Sequence, residues 1–195
     1  MSTPVLHLVA GPNGAGKTTF YERVLGPATK LPFVNADRIA SERWPNDPVS
    51  HAYEAADLAE RRRRDLIRDR SSFAAETVFS HPSKLDLLHE AKAAGYLVYL
   101  HVILVPEDLT VARVQVRREL GGHDVPEEKI RTRFRRLWLL VRQAIALVHG
   151  AEILDNSRAA TPFRRVARYD EGRLVGVADW PPWTPPELLQ PGEQS

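Results

Sequence analysis

Residues Val5–Phe20 read VLHLVAGPNGAGKTTF, and Gly11–Thr18 within them fit the phosphate-binding pattern G-x-x-x-x-G-K-[ST]. The spacing has a physical reason. Glycines at 11, 14 and 16 let the backbone curl so that successive N–H groups point at one anion. A following helix adds the positive end of its dipole. Gly11, Pro12, Asn13, Gly14, Ala15, Gly16, Lys17, Thr18 and Thr19 are therefore the expected nucleotide cradle. Lys17 would reach the β- and γ-phosphates, and the Thr18 hydroxyl would bind Mg²⁺. The flanks agree: Val5–Ala10 reads as a short buried strand, and a helix follows until Gly26-Pro27. A nucleoside triphosphate, with Mg²⁺, is the expected ligand.

Outward from the loop, short apolar runs alternate with helical stretches. A second strand is expected over 31–37, a long helix over 48–70, a third strand over 72–76 and a helix over 82–94. YLVYLHVILV (96–105) has the continuous apolar character of a strand at a sheet centre. Its His101 is expected to be a satisfied core residue. Helices over 106–120 and 126–148 flank Gly121-Gly122, and a last buried strand covers 151–154. Segments 163–169 and 174–178 suggest a small hairpin across Asp170–Arg173. This alternation predicts an α/β fold of the P-loop kinase kind, with three layers: a parallel sheet of about five strands and helices on both faces. One domain over 1–180 is expected, with a proline-rich tail over 181–195, extended on the surface or disordered.

Composition sets outer bounds. The 195 residues include 43% hydrophobic and 27% charged side chains, no cysteine, and a net charge of +2. That balance suits an ordinary globular domain and gives no argument for a nucleic-acid or membrane surface. Without cysteine there is no disulfide or thiolate metal site, in keeping with a reducing compartment. Neither a secretory signal nor a membrane-spanning window is evident, so a cytoplasmic monomer is expected.

In such sheets ligands gather at the carboxyl ends of the strands. Gly11, Asp37, Glu76 and Asp155 are the residues expected there. Asp37 reads either as a general base for an acceptor hydroxyl or as a helix N-cap before Arg38-Ile39-Ala40. Glu76 closes its strand like a Walker B acid; it could hold Mg²⁺, bind substrate or an arginine, or be structural. Thr77 and Ser80 could donate to the acceptor. Arg113, Arg117, Arg118, Arg131, Arg133, Arg135 and Arg136 lie on two helices joined by the Gly121-Gly122-His123 loop, an arrangement suited to a helical lid over phosphates. At least about half of these arginines must face solvent, as must most of Arg61-Arg62-Arg63-Arg64, whose run reads either as a solvated basic surface or as one arginine reaching an anionic substrate.

AGPNGAGKTTF, FVNADRIA, FAAETVFSH, RVQVRRELGGHDVPEEKIRTRF and ILDNS together, in this order, resemble the short bacterial zeta-toxin-like kinases. The similarity runs over 5–157. It implies a kinase that uses ATP and Mg²⁺ to phosphorylate a sugar hydroxyl of a nucleotide sugar; for zeta toxins this is UDP-N-acetylglucosamine. An antitoxin protein is an implied partner. By matching motif, Lys17 and Thr18 hold phosphate and metal, Asp37 is the catalytic base, and Glu76 is the second acidic residue. The lid pair is expected from Arg117 or Arg118 with Arg131 or Arg133; His123 and Arg133 are expected near the acceptor, and Asn156 near adenine. This chain lacks much of the acceptor-side elaboration of larger zeta toxins. An antibiotic or metabolite kinase, or a nucleotide-binding switch, are the other readings.

Overall fold

The computed structural model describes residues 3–119 and 125–189. Among the described residues its sheet runs in the order 2-3-1-4-5-6-7 when the strands are numbered along the chain. β1 (Val5–Ala10), β2 (Phe33–Val34), β3 (Phe73–Thr77), β4 (Leu97–Leu104) and β5 (Gly150–Asp155) run parallel. β6 (Arg164–Asp170) and β7 (Arg173–Leu174) extend the sheet antiparallel. This is the expected P-loop kinase-like fold, with the hairpin added to its edge. Glu171 and Gly172 make the hairpin turn with φ of 44° and 75°, the left-handed pair whose twist matches a two-residue connection.

Because the parallel strands are covered on both faces, neighbouring residues feed opposite cores. Leu8, Leu100, Val102 and Ile153 join one cluster; Val9, Ile103 and Leu154 join the other. The larger cluster is closed by α4 (Ala52–Arg68), α5 (Ser83–Ala93) and α7 (Glu127–Leu147) through Leu66, Leu88, Leu137 and Trp138. The smaller is closed from the other face by Phe20 and Leu25. β4 sits fourth among the seven described strands, the central place its sequence predicts. Its His101 is satisfied, by His7 at 2.9 Å and Glu152 at 2.7 Å.

Three boundaries differ from expectation. The helix after the P-loop does not stop at Gly26-Pro27. It runs as α1 (Lys17–Phe20), a π-helical stretch Tyr21–Leu25 and α2 (Gly26–Thr29), ending at Lys30 with φ 56°. The Gly26 N–H donates to the Tyr21 carbonyl, the wider i→i+5 register, and Pro27 falls in the first turn of α2, where a proline is tolerated. β2 is only two residues long, so the chain is already helical at Ala36 in α3 (Ala36–Arg43). Gly150 opens β5 rather than merely ending α7.

The stretch after Trp180 is no loose tail as far as residue 189. Trp180 and Trp183 pack on the larger core, Thr184 and Leu188 are buried, and Arg142 of α7 donates to the Glu187 carbonyl at 2.9 Å. Apolar area on two tryptophans and a leucine is enough to dock a proline-rich segment. Among the described residues, no helix is long and apolar enough to cross a membrane.

Candidate active site

The site begins where β1 ends. Gly11 (φ 151°) lies so near β4 that a Cβ there would sit 2.6 Å from the Ile103 carbonyl. Gly16 (φ 93°) leaves 2.7 Å between such a Cβ and Asn156 Nδ2. Both positions need glycine, for conformation and for space. The loop is braced from outside: Asn156 Nδ2 donates to the Ala15 carbonyl at 2.8 Å, and Arg113 of α6 (Glu107–Glu119) donates to the Asn156 carbonyl at 2.9 Å. Asn156 thus supports the phosphate loop through its side-chain amide; the resemblance implies a place beside adenine for it as well.

Lys17 is buried and donates to the Pro12 carbonyl at 2.9 Å. Burial pushes its ammonium below the usual lysine range, while Glu76, with Nζ–Oε1 at 3.7 Å, pulls it back up. Glu76 is also the hub of the metal-side cluster. The Thr18 hydroxyl donates to its Oε2 at 2.7 Å, and Asn35 Nδ2 donates to the same oxygen at 2.7 Å. Strand pairing explains the proximity, since Glu76 sits opposite Val9 in the β1–β3 register.

Asn35, buried, was not among the residues singled out from sequence. It caps α3 by accepting from the Arg38 N–H at 3.0 Å, while its amide reaches Glu76. The cap therefore falls on Asn35, and Asp37 sits in the first turn of α3. That leaves the Asp37 carboxylate 69% exposed in the cleft, with Arg117 Nη1 4.0 Å away.

A cleft of about 680 Å³ joins these groups. Asn13, Lys17, Thr18 and Thr19 line it from the phosphate loop and α1; Thr77, Ser80 and His81, in and after β3, line another part of its wall. Phe79, fully buried at φ 60°, forces that wall to turn back, with its N–H held by the Thr77 hydroxyl at 3.1 Å. Positive φ on a bulky residue is strain of the kind that clusters at binding sites.

The arginines divide. Arg113, Arg117 and Arg133 line the cleft. Arg118 is exposed and lies outside its lining, so of the pair Arg117/Arg118 the structure brings in the first. Arg131 is likewise outside. It bridges α6 and α7, bonding Glu127 at 2.8 Å and Asp108 at 3.1 Å and lying 3.4 Å from Glu107. Those three carboxylates claim its guanidinium, and they raise its pKa above the usual arginine value. Helical phase decides the matter: Arg133, two residues on, points elsewhere and reaches the cleft. His123 lies outside the described residues. Asp155 does end its strand at the expected edge. Its carboxylate, however, accepts from the Ser157 N–H at 2.8 Å and meets Arg164, lining a separate hollow with Trp180.

The donor end fits a magnesium ion. A threonine hydroxyl and a carboxylate lie 2.7 Å apart, both hard oxygen donors. Among the described residues no group of three or more His, Cys, Asp or Glu forms a protein cage for a metal. One carboxylate plus nucleotide phosphates is the usual way this ion is held.

The sequence matches the family model of an AAA domain (AAA_33) over residues 6–139. No curated protein matches it. Among solved structures, it is similar to the AvrRxo1-ORF1:-ORF2 complex at TM-score 0.69 and 19% identity, covering 89% of this chain and 60% of that one. The chain therefore spans under two thirds of that relative's length. It is similar to the PezAT chromosomal toxin-antitoxin system of Streptococcus pneumoniae at TM-score 0.62 and 19% identity, covering 80% of this chain and 68% of that one. It is also similar to shikimate kinase from Acinetobacter baumannii in complex with shikimate, at TM-score 0.51 and 18% identity, covering 82% and 87% respectively. At these identities the likeness is one of fold, and the fold is that of P-loop kinases.

Proposed function

The chain belongs to the AAA-domain family matched over residues 6–139, and from that premise we propose that it is an ATP-dependent kinase of a small hydroxyl compound. The acceptor we propose is a sugar hydroxyl of a nucleotide sugar, UDP-N-acetylglucosamine or a close relative, as the zeta-toxin resemblance implies. One observation carries the reading: Asp37, Arg117 and the Lys17–Thr18–Glu76 cluster face one cleft. A cradle that only bound or slowly hydrolysed nucleotide would need no carboxylate directed at a second reactant.

In this account Lys17 and the loop N–H groups hold the donor phosphates. Asp37 accepts the proton of the acceptor hydroxyl as its oxygen attacks the γ-phosphorus, and the β–γ bridging bond breaks to release ADP. Arg117 and Arg133 neutralise charge on the transferred group. Thr18 and Glu76 would hold Mg²⁺, which when bound supplies charge neutralisation at the phosphates. Thr77 and Ser80 are placed to hydrogen-bond the acceptor. Since one solved neighbour named above belongs to a toxin–antitoxin system, we also propose a protein antitoxin as a partner.

The test is to incubate the protein with ATP, Mg²⁺ and a panel of UDP-sugars and hydroxylated antibiotics, and to seek a phosphorylated acceptor by mass spectrometry. A phosphorylated UDP-sugar is the expected product. ADP and inorganic phosphate alone with every acceptor would remove the transferase reading. Growth arrest on expression in bacteria, relieved by Lys17→Ala, is the outcome expected for a toxin.

A further inference from the structure

One buried amide touches both acidic groups of the cleft's chemistry. Asn35, 3% exposed, follows β2, where the β2–β3 register sets Val34 opposite Ala75 and so brings the next residue level with Glu76. Its Nδ2 donates to Glu76 Oε2 at 2.7 Å and reaches Thr18 Oγ1 at 3.4 Å. Its Oδ1 accepts from the Arg38 N–H at 3.0 Å, closing the first turn of α3, where Asp37 sits. A single planar group thus joins Glu76 to the helix that carries Asp37.

The two ends of that group are not interchangeable. Turning the amide over would set Oδ1 against the Glu76 carboxylate and Nδ2 against an N–H, two repulsive contacts, so the network fixes one orientation. Glu76 Oε2 then accepts from both Asn35 and the Thr18 hydroxyl, and Oε1 is left toward Lys17, 3.7 Å from its ammonium. Thr18 gives its one hydroxyl proton to Glu76, so its oxygen keeps a lone pair for a cation. Asp37 acts on the same ammonium: burial lowers the Lys17 pKa, and Glu76 and then Asp37 raise it. Other side chains fail here for different reasons. Serine caps a helix about as well as asparagine, but its one short hydroxyl cannot also hold Glu76. Aspartate would set a second carboxylate against the first.

We propose that Asn35 is a positioning residue: it orients Glu76 for the metal side and, through the same amide, holds the turn that places Asp37 for the acceptor proton. The proposal rests on the kinase reading above and adds to it the link between its two carboxylates. A change at Glu76 is then felt at Asp37, because one rigid amide answers both. A helix cap alone would serve α3 equally well with no contact to Glu76.

The test compares Asn35→Ser, which keeps a cap and loses the Glu76 bond, with Asn35→Ala, which loses both. In the ligand-free protein Asn35→Ser should recover much of the Tm lost in Asn35→Ala. Calorimetry with ADP reads the metal side without any acceptor. In EDTA, ADP should bind wild type and Asn35→Ser alike; on adding Mg²⁺, the gain in ADP affinity should be about tenfold smaller in Asn35→Ser. The base side is read as kcat at saturating ATP and Mg²⁺ on the acceptor that wild type phosphorylates. Asn35→Ser should lose about tenfold, and should cost almost nothing further in an Asp37→Ala background. A cap role alone predicts Asn35→Ser equal to wild type in both the Mg²⁺ gain and kcat, which would overturn the proposal, as would a wild type that gains nothing from Mg²⁺. Full additivity of Asn35→Ser and Asp37→Ala in kcat would overturn the link to Asp37. A wild type that phosphorylates no acceptor is a different result: it removes the kinase reading and the Asp37 link with it, while the Mg²⁺ comparison still decides the role at Glu76.

Discussion

In the proposed kinase reading, Glu76 and Asp37 divide the acidic work by their surroundings. Glu76 is held among Lys17, Thr18 and Asn35, and is placed for the metal side. Asp37 stands exposed opposite Arg117, placed for a proton. Asp37→Ala should lower kcat by about 10²–10⁴ while ATP still binds, as calorimetry on the two forms can show. Near-normal turnover in that variant would take Asp37 out of the base role. Asn35→Ala loses both the α3 cap and the Glu76 bond, so thermal unfolding should show a loss of about 1–3 kcal/mol. The sequence made the Asp37–Glu76 pairing visible because both residues close apolar runs. It did not separate Asn35 from Asp37, since either could cap a helix. Only the early end of β2, at Val34, puts the cap on Asn35.

At the scale of elements, α6 and α7 act as a pair whose arginines have two kinds of duty. Arg131 stitches the helices together; Arg113, Arg117 and Arg133 face the cleft. Arg117→Ala is expected to lower kcat by about 10³ or more, Arg133→Ala by less, and Arg131→Ala hardly at all, measured under saturating ATP. A large loss on Arg131→Ala alone would reverse that division. The composition of these helices marked them as a lid, yet their phase was not legible from one chain. Position 131 or 133 depends on how α7 rolls against the core through Phe134, Leu137 and Trp138. The stop expected at Gly26-Pro27 failed for a related reason. Local propensity marks a break there, and the π-register, with Tyr21 stacked 3.8 Å from Phe33, carries the helix through.

Across the whole molecule, a row of His7, His101 and Glu152 crosses β1, β4 and β5 beneath Phe20. Burial, then the neighbouring His101, pushes the His7 pKa from 6.5 down to about 4. The fold therefore disfavours protonated His7, and the unfolded chain binds more protons between those values. Stability should be full above pH 6.5 and fall as pH drops toward 4. His7→Asn should flatten that part of the curve in urea titrations; an unchanged slope would place the acid sensitivity elsewhere. The docked C-terminal segment is the other global feature, and it was hidden from the sequence because proline-rich composition says nothing of distant partners. Leu188→Ala should destabilise the fold by about 2–5 kcal/mol if the segment belongs to the core, and by almost nothing if it merely lies on it.

The sharpest test of a donor site facing an acceptor site is the fate of the γ-phosphoryl group, followed by ³¹P NMR with ATP, Mg²⁺ and UDP-N-acetylglucosamine. Transfer predicts a new phosphate-ester resonance growing with ADP in the wild type and absent in Asp37→Ala, with both proteins binding ATP. Inorganic phosphate as the sole product, at the same rate in both, would contradict it.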